Sequence, residues 1–193
     1  MIRVLLFAPA WCCDKRGQGG LQGANPCPSM GPTDLNIRPA IASDVDAVFA
    51  IRLKVRENRL TMAELAARGI TKTAWFDWLN NGTGMWVAET GGAITGFAIA
   101  LPREATLWAL FVDPEYDGQG IGSTLLKTAE DWLFAQGCTE ISLTTDSDPK
   151  IRAHGFYERH GWVLTGDADD GQVEYVKGAN LGLWPDDVLD MPV

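Results

Sequence analysis

The chain reads as a mixed α/β domain of the α+β type, with a central sheet of about six to seven strands flanked by helices on both faces. Three observations predict this. Met85 to Glu89 and Ile94 to Ala100 are apolar runs of strand length joined by Thr90-Gly91-Gly92-Ala93, which signals an antiparallel hairpin. Further on, strand-length and helix-length segments alternate, the order that gives a mixed sheet covered on both sides. Finally, 193 residues with 46% apolar content supply one substantial core and fall in the size range of one domain.

Residues 1–34 are read as a disordered extension, because Cys12 to Pro32 is rich in Gly, Pro, Asn and Gln and has no hydrophobic period. Met1 to Ala10 carries Arg3 ahead of Val4, Leu5, Leu6 and Phe7, but this run is short and no clear small-x-small cleavage site follows. Met30 is read as a candidate start, with the first 29 residues then coming from an overextended reading frame. The domain spans residues 35–177, and residues 178–193 form a tail.

Leu35 to Arg38 is a short strand, and Ser43-Asp44-Val45-Asp46 offers an N-cap and first-turn acids for a helix with a broad apolar face. Thr61-Met62-Ala63-Glu64 has capping-box spacing and opens a second helix that ends near Gly69. A third starts near Thr73 and stops at Asn81-Gly82. After the hairpin comes a strand over Ala105 to Val112, then a helix over Gly120 to Ala135 and a strand over Glu140 to Thr145. A helix over Lys150 to Arg159 and strands over Trp162 to Thr165 and Gln172 to Val176 complete the order.

A formal net charge of -9 repels phosphate backbones and argues against nucleic acid as a partner. It mildly favours cationic substrates, although many of the acids lie in the last part of the chain, where they serve equally to solvate it. No stretch has the apolar length of a bilayer span, so no membrane partner is expected. Of the four cysteines, Cys12, Cys13 and Cys27 crowd the first thirty residues and only Cys138 lies in the patterned region. That is no disulfide framework, and a cytoplasmic location fits it.

The most informative stretch is Leu110-Phe111-Val112-Asp113-Pro114-Glu115-Tyr116-Asp117-Gly118-Gln119-Gly120-Ile121-Gly122-Ser123, a buried strand entering a helix through a glycine-rich turn. Such a turn aims free backbone N–H groups and the positive helix end at one place, and glycines let an anion come close, so a pyrophosphate is the natural guest. No lysine precedes Ser123, as a Walker loop requires, and glycines at 118, 120 and 122 miss the dinucleotide spacing.

The loop resembles the pyrophosphate loop of the GNAT superfamily: Arg or Gln, two residues, Gly, one residue, then Gly or Ala. Gly120 and Gly122 match, as does the strand ending in Val112-Asp113-Pro114, while Asp117 stands where the family has Arg or Gln. A second segment, Ala153-His154-Gly155-Phe156-Tyr157-Glu158-Arg159-His160-Gly161-Trp162, is similar to the superfamily's Ala-x-x-Phe-Tyr-x-x-x-Gly-Phe run. The resemblance covers residues 35–177, with its specific motifs inside 105–162.

It implies the GNAT fold and an N-acetyltransferase that moves an acetyl group from acetyl-CoA to a primary amine of a small molecule or peptide, without a metal. It also implies that residues 117–123 hold the pyrophosphate and that backbone N–H groups around Leu110, Phe111 and Val112 stabilise the oxyanion. The acyl group would enter between the strand ending at Val112 and the strand near Glu140 to Thr145. Lys150 and Arg152 are candidate phosphate neighbours, and Asp148 or Lys150 stands near the family's pantetheine-binding Asn.

Tyr157 matches the tyrosine many members use to protonate the departing thiolate; its alternative is a packed ring with a bonded hydroxyl. The family's usual Glu base aligns with Thr106. Glu104, two residues earlier, shares that face if the strand extends so far, and otherwise is a solvated turn residue beside water as the proton acceptor. His154 and His160 are expected on the exposed helix surface, Cys138 as a packing residue, and Trp75, Trp78 and Trp108 as core or acceptor-pocket walls. Exposed sheet edges are compatible with a homodimer. Two other classes stay open: a non-catalytic acyl-CoA-binding or regulatory module of the same fold, and a nucleotide-binding α/β protein.

Overall fold

The structure, a computed structural model, describes residues 34–55, 60–169 and 171–179. The readings made for residues 1–33, including Cys12, Cys13, Cys27 and Met30, and for residues 180–193 lie outside the described residues.

Strand β1 (Leu35–Pro39) passes through a 3-10 turn (Ala42–Asp44) into helix α1 (Val45–Lys54). The cap expected at Ser43-Asp44 takes another form. The buried Asp44 carboxylate accepts both arms of the Arg38 fork, at 2.8 and 3.0 Å, and the Ile41 amide at 2.8 Å, so it ties β1 to the turn rather than capping the helix. Hydrogen bonding from Arg38 holds the Asp44 carboxyl below the usual carboxylate range.

Helix α2 (Met62–Ala67) has the capping box its sequence predicts: the Thr61 side chain accepts the Glu64 amide, and the Glu64 carboxylate accepts the Thr61 amide at 2.7 Å. Helix α3 (Lys72–Asn80) starts one residue earlier than expected because Thr71 caps it. The hairpin β2 (Gly84–Thr90) and β3 (Ala93–Leu101) turns on Gly91 and Gly92, both at positive φ, as a two-residue type I′ turn needs.

The remaining elements are β4 (Thr106–Val112), α4 (Ile121–Ala135), β5 (Glu140–Asp146), α5 (Ala153–Arg159), β6 (Val163–Ala168) and β7 (Gln172–Gly178). Helix α5 begins later than the expected Lys150. The Asp146 carboxylate accepts the Asp148 amide and the Asp148 carboxylate accepts the Lys150 amide, and these local bonds hold a turn against the helix.

The seven strands form one mixed sheet in the order β1-β2-β3-β4-β5-β7-β6, with β4 and β5 parallel and every other neighbouring pair antiparallel. Alternation along β3 separates its faces. A Cβ at Gly96 would lie 3.0 Å from Leu125 Cδ1 and from the Phe111 carbonyl, so α4 rests almost on the strand there. Phe97 and Ile99 point the other way and line an apolar cavity with Val48, Phe49 and Trp75 of α1 and α3. Helices therefore cover both faces.

Glu130 on α4 carries a buried link from that helix to the α5–β6 connection and to β7. Its carboxylate accepts Trp162 Nε1 at 2.6 Å and Lys177 Nζ at 2.6 Å, and Lys177 also donates to the His160 carbonyl at 2.8 Å. Glu130→Ala leaves the buried indole N–H without its acceptor and the Lys177 ammonium with the His160 carbonyl but no counter-charge, and is expected to lower the unfolding free energy by about 2 kcal/mol in chemical denaturation.

Candidate active site

Two irregularities of β4 shape the site. The β3–β4 register runs from Ile99↔Ala109 to Ala100↔Leu107, so Trp108 is an extra residue that bulges β4. On its other side β4 pairs with β5 only at Thr106↔Ser142, where the Thr106 hydroxyl donates to the Ser142 carbonyl at 2.9 Å and the Ser142 amide donates to the Ala105 carbonyl at 2.9 Å. Beyond that point the two parallel strands share no ladder pair. Backbone groups of β4 on that side are left without a strand partner, up to Val112.

At the end of β4, Asp113 caps the following turn by accepting the Glu115 amide, and its carboxylate holds Lys54 at 2.6 Å. The chain then enters α4 through Gly118 and Gly120, both in the left-handed region, at φ 74 and 81. Gly120 is the N-cap and supplies no side-chain acceptor, so the first amides of α4 at Ile121, Gly122 and Ser123 lack an intrahelical partner. A Cβ at Gly118 or Gly120 would meet nothing within 4 Å. The open space in front of these amides is a cleft of about 280 Å³.

Val112, Tyr116, Asp117, Gly118, Gly120, Ile121, Gly122 and Ser123 line one wall, and Arg152, Phe156 and Arg159 the other. The glycine loop and α5 thus line one cleft. Arg152, Phe156 and Arg159 fall at i, i+4 and i+7 and share one helix face, so the spacing that places Phe156 also identifies Arg159, which the sequence reading missed.

Other expected residues lie elsewhere. Lys150 is exposed and Gln119 is exposed, and neither lines the cleft. Ala153 is fully buried and seats the helix; the Leu110 and Phe111 side chains are buried too, Phe111 against the apolar cavity, so any part these two take is through the backbone. Glu104 is corrected most clearly. It is exposed in a turn over residues 102–105, and Ala105 at φ 49 breaks the extended backbone before Thr106, so Glu104 does not share the face of β4.

Tyr157 is completely buried, its ring packed against Trp162 and Tyr175, and its hydroxyl has no hydrogen-bond partner. Burial pushes the phenol well above its ordinary value and keeps it protonated. The expected alternative, a bonded structural tyrosine, does not describe this hydroxyl. Phe156, its neighbour in sequence and ring contact, reaches the cleft wall.

The histidines are not free surface residues. His160 Nδ1 donates to the Phe156 carbonyl at 2.7 Å, and Nε2 lies 3.0 Å from Ser123 Oγ. His154 Nε2 donates to the Asp148 carbonyl at 3.0 Å, and Nδ1 faces the Tyr175 hydroxyl at 2.9 Å. Both rings bridge segments separated in sequence, a role that helical position alone does not reveal. Cys138 is a half-buried free thiol.

Asp117 lines the cleft with its side chain only 5% exposed. Its Oδ2 has no hydrogen-bond partner, and Arg152 Nη1 stands 3.9 Å away. Burial pushes this carboxyl up to about 6, against the opposing pull of Arg152. On the other face of the sheet, Trp75, Trp78 and Trp108 meet in the apolar cavity, where Trp78 and Trp108 pack edge to face at 4.6 Å. Arg52 joins them with its guanidinium 5.0 Å from the Phe111 ring centre.

Among the described residues no helix is long and apolar enough to cross a membrane, and no three His, Cys, Asp or Glu side chains gather as a metal site would need.

Known proteins share this fold. The fold is that of the PaiA N-acetyltransferase of Thermoplasma acidophilum, solved in complex with coenzyme A, with a TM-score of 0.66 and 19% identity over 76% of this chain and 100% of that one. The ribosomal-protein-S18-alanine N-acetyltransferase of Escherichia coli superposes with a TM-score of 0.59 at 20% identity over 78% and 99% of the two chains. In sequence, the chain is 37% identical over 84 residues to N-acetyltransferase 8 of Rattus norvegicus, covering 39% of this chain and 36% of that protein. N-acetyltransferase family 8 member 2 of the same organism is 31% identical over 127 residues, covering 62% and 53%. The chain thus spans between about a third and a half of the length of these two curated relatives. Residues 51–162, which hold both β4 irregularities, the glycine loop and the α5 motif, match the profile of the Acetyltransferase (GNAT) family, and the chain belongs to that family.

Proposed function

We propose that this domain transfers an acetyl group from acetyl-CoA to a primary amine of a small molecule or peptide by direct attack. The observation that carries the reading is that the glycine-loop cleft reaches Val112, the end of the β4 segment that makes no ladder pair with β5. The residues present fit the cosubstrate: the Ile121, Gly122 and Ser123 amides and Arg152 and Arg159 suit its phosphates, and the strand opening suits an extended pantetheine arm. When bound, the thioester supplies an activated acyl carbon and a thiolate leaving group.

The chain's own groups then divide the work. Unpartnered amides on β4 near Leu110 to Val112 donate to the carbonyl oxygen as negative charge grows on it. The Tyr157 hydroxyl gives its proton to the departing sulfur. Because Thr106 replaces the usual glutamate and is itself bonded to Ser142, water takes the proton from the amine. The cavity of Trp75, Trp78 and Trp108, of about 30 Å³, has room for no more than a small apolar group of the acceptor. The enzyme works in the cytoplasm, and edge strand β6, which exposes Val163 and Leu164, is the side on which a homodimer would form.

Incubating the protein with acetyl-CoA and a panel of primary amines, and following free thiol, is expected to show amine-dependent thiol release well above background. Saturable acetyl-CoA binding with no release for any amine would instead support the acyl-CoA-binding module. The missing glutamate on β4 is what favours that second reading.

A further inference from the structure

We infer that Asp117 binds the diphosphate of the cosubstrate as a neutral carboxylic acid, so that the cleft takes up a proton with each molecule it captures. The inference rests on the proposed use of this cleft for acetyl-CoA, and its basis is geometric. The Asp117 side chain is almost wholly buried in the cleft wall, beside the amides of Ile121 to Ser123, and Oδ2 has no partner. Arg152 Nη1 at 3.9 Å is beyond hydrogen-bond length.

The other charged or titratable groups nearby are Arg159, Tyr116, His160, Lys54, Asp113 and Glu115. Arg159 of α5 and Tyr116 of the preceding turn line the same cleft. His160 sits behind Ser123, with one ring nitrogen on Ser123 Oγ and the other on the Phe156 carbonyl. Lys54 is engaged by Asp113, with Glu115 3.9 Å from it, at the base of the turn. None of these gives Asp117 a hydrogen bond.

A diphosphate held by the α4 amides brings like charge to the carboxylate. Repulsion then favours the acid form, and a protonated carboxyl offers an O–H donor to a phosphate oxygen where the carboxylate offers only acceptors. Burial has already moved the group toward that state in the free protein. The sign follows from linkage: the ligand raises the carboxyl pKa, so between the free and bound values binding consumes a proton and affinity falls as pH rises. The family's Arg or Gln at this place offers hydrogen-bond donors at any working pH. Asp117 offers one only when protonated.

Calorimetry of the full chain with 3′-dephospho-CoA tests this, because that ligand lacks the phosphomonoester that itself titrates near about pH 6. Titrations run in buffers of different ionisation heat count protons directly. Near neutral pH the wild type is expected to take up most of one proton, and its dissociation constant to rise about tenfold per pH unit from about 6 up to the raised value of the bound form. Asp117→Asn keeps an N–H donor, and should show no uptake, a flat pH profile and about tenfold tighter binding near pH 7.5. His160→Gln should leave the uptake in place.

Binding by the wild type without proton uptake overturns the inference, whether or not the Asn variant folds. So does uptake that persists in Asp117→Asn or vanishes in His160→Gln. A wild type that binds no coenzyme at any pH removes the reading of the cleft itself, an outcome distinct from binding without uptake.

Discussion

Gly120→Asp is expected to raise the dissociation constant for coenzyme A at least about 100-fold, or about 2.7 kcal/mol, while leaving the protein folded. Gly120 is the N-cap of α4 at φ 81, and a Cβ there meets no atom within 4 Å. Asp is among the few non-glycine residues that tolerate this backbone region. A carboxylate at an N-cap also accepts the amides of the first turn. The substituted side chain would therefore satisfy the donors that otherwise face the cleft and place a negative charge where the diphosphate belongs. Thermal melting should stay near the wild-type value while calorimetric binding disappears. Retained binding would show that the first turn of α4 is not the phosphate cradle.

Tyr157→Phe should separate stability from activity in opposite directions. The wild-type hydroxyl is fully buried and makes no hydrogen bond, a state that costs about 1–3 kcal/mol of desolvation. Removing it leaves the ring contacts with Trp162 and Tyr175 in place, so unfolding free energy should rise by about 1 kcal/mol. Loss of the general acid should lower kcat about 100-fold, with KM for acetyl-CoA nearly constant. Paired denaturation and steady-state kinetics decide the matter: a variant that is less stable but fully active would mean the hydroxyl serves packing alone.

Local chemistry made most of the fold legible in the sequence. The Thr61 and Glu64 capping box, the Gly91-Gly92 turn and the glycine loop each write their geometry into a few adjacent residues, and the structure matches them closely. Long-range pairing left weaker marks. Nothing near β6 or β7 announces that β7 inserts between β5 and β6, and nothing near Trp108 announces a bulge, since both depend on what lies opposite. The same limit explains Asp44, which has the spacing of a cap but is claimed by Arg38.

At the site, the loop was readable from its glycines and α5 from its resemblance to the family's segment, while Arg159 on the same face was missed. Glu104 depended on how far a strand would run, and the left-handed Ala105 stops it. His160 and Asp117 gain their character from neighbours distant in sequence or from burial, which a linear pattern does not record.

A sheet whose middle is joined by a single ladder pair behaves as two plates on a pin. The four strands β1 to β4 make one plate and β5, β7 and β6 the other, with Thr106 and Ser142 as the pin. Elsewhere in the sheet, neighbouring strands hold each other along their length, so twisting one moves the next. Across this gap that coupling must come from the helices and from whatever fills the wedge. A molecule lying there as a surrogate strand would carry shear between the plates, making the torsional stiffness of the whole domain depend on its occupant.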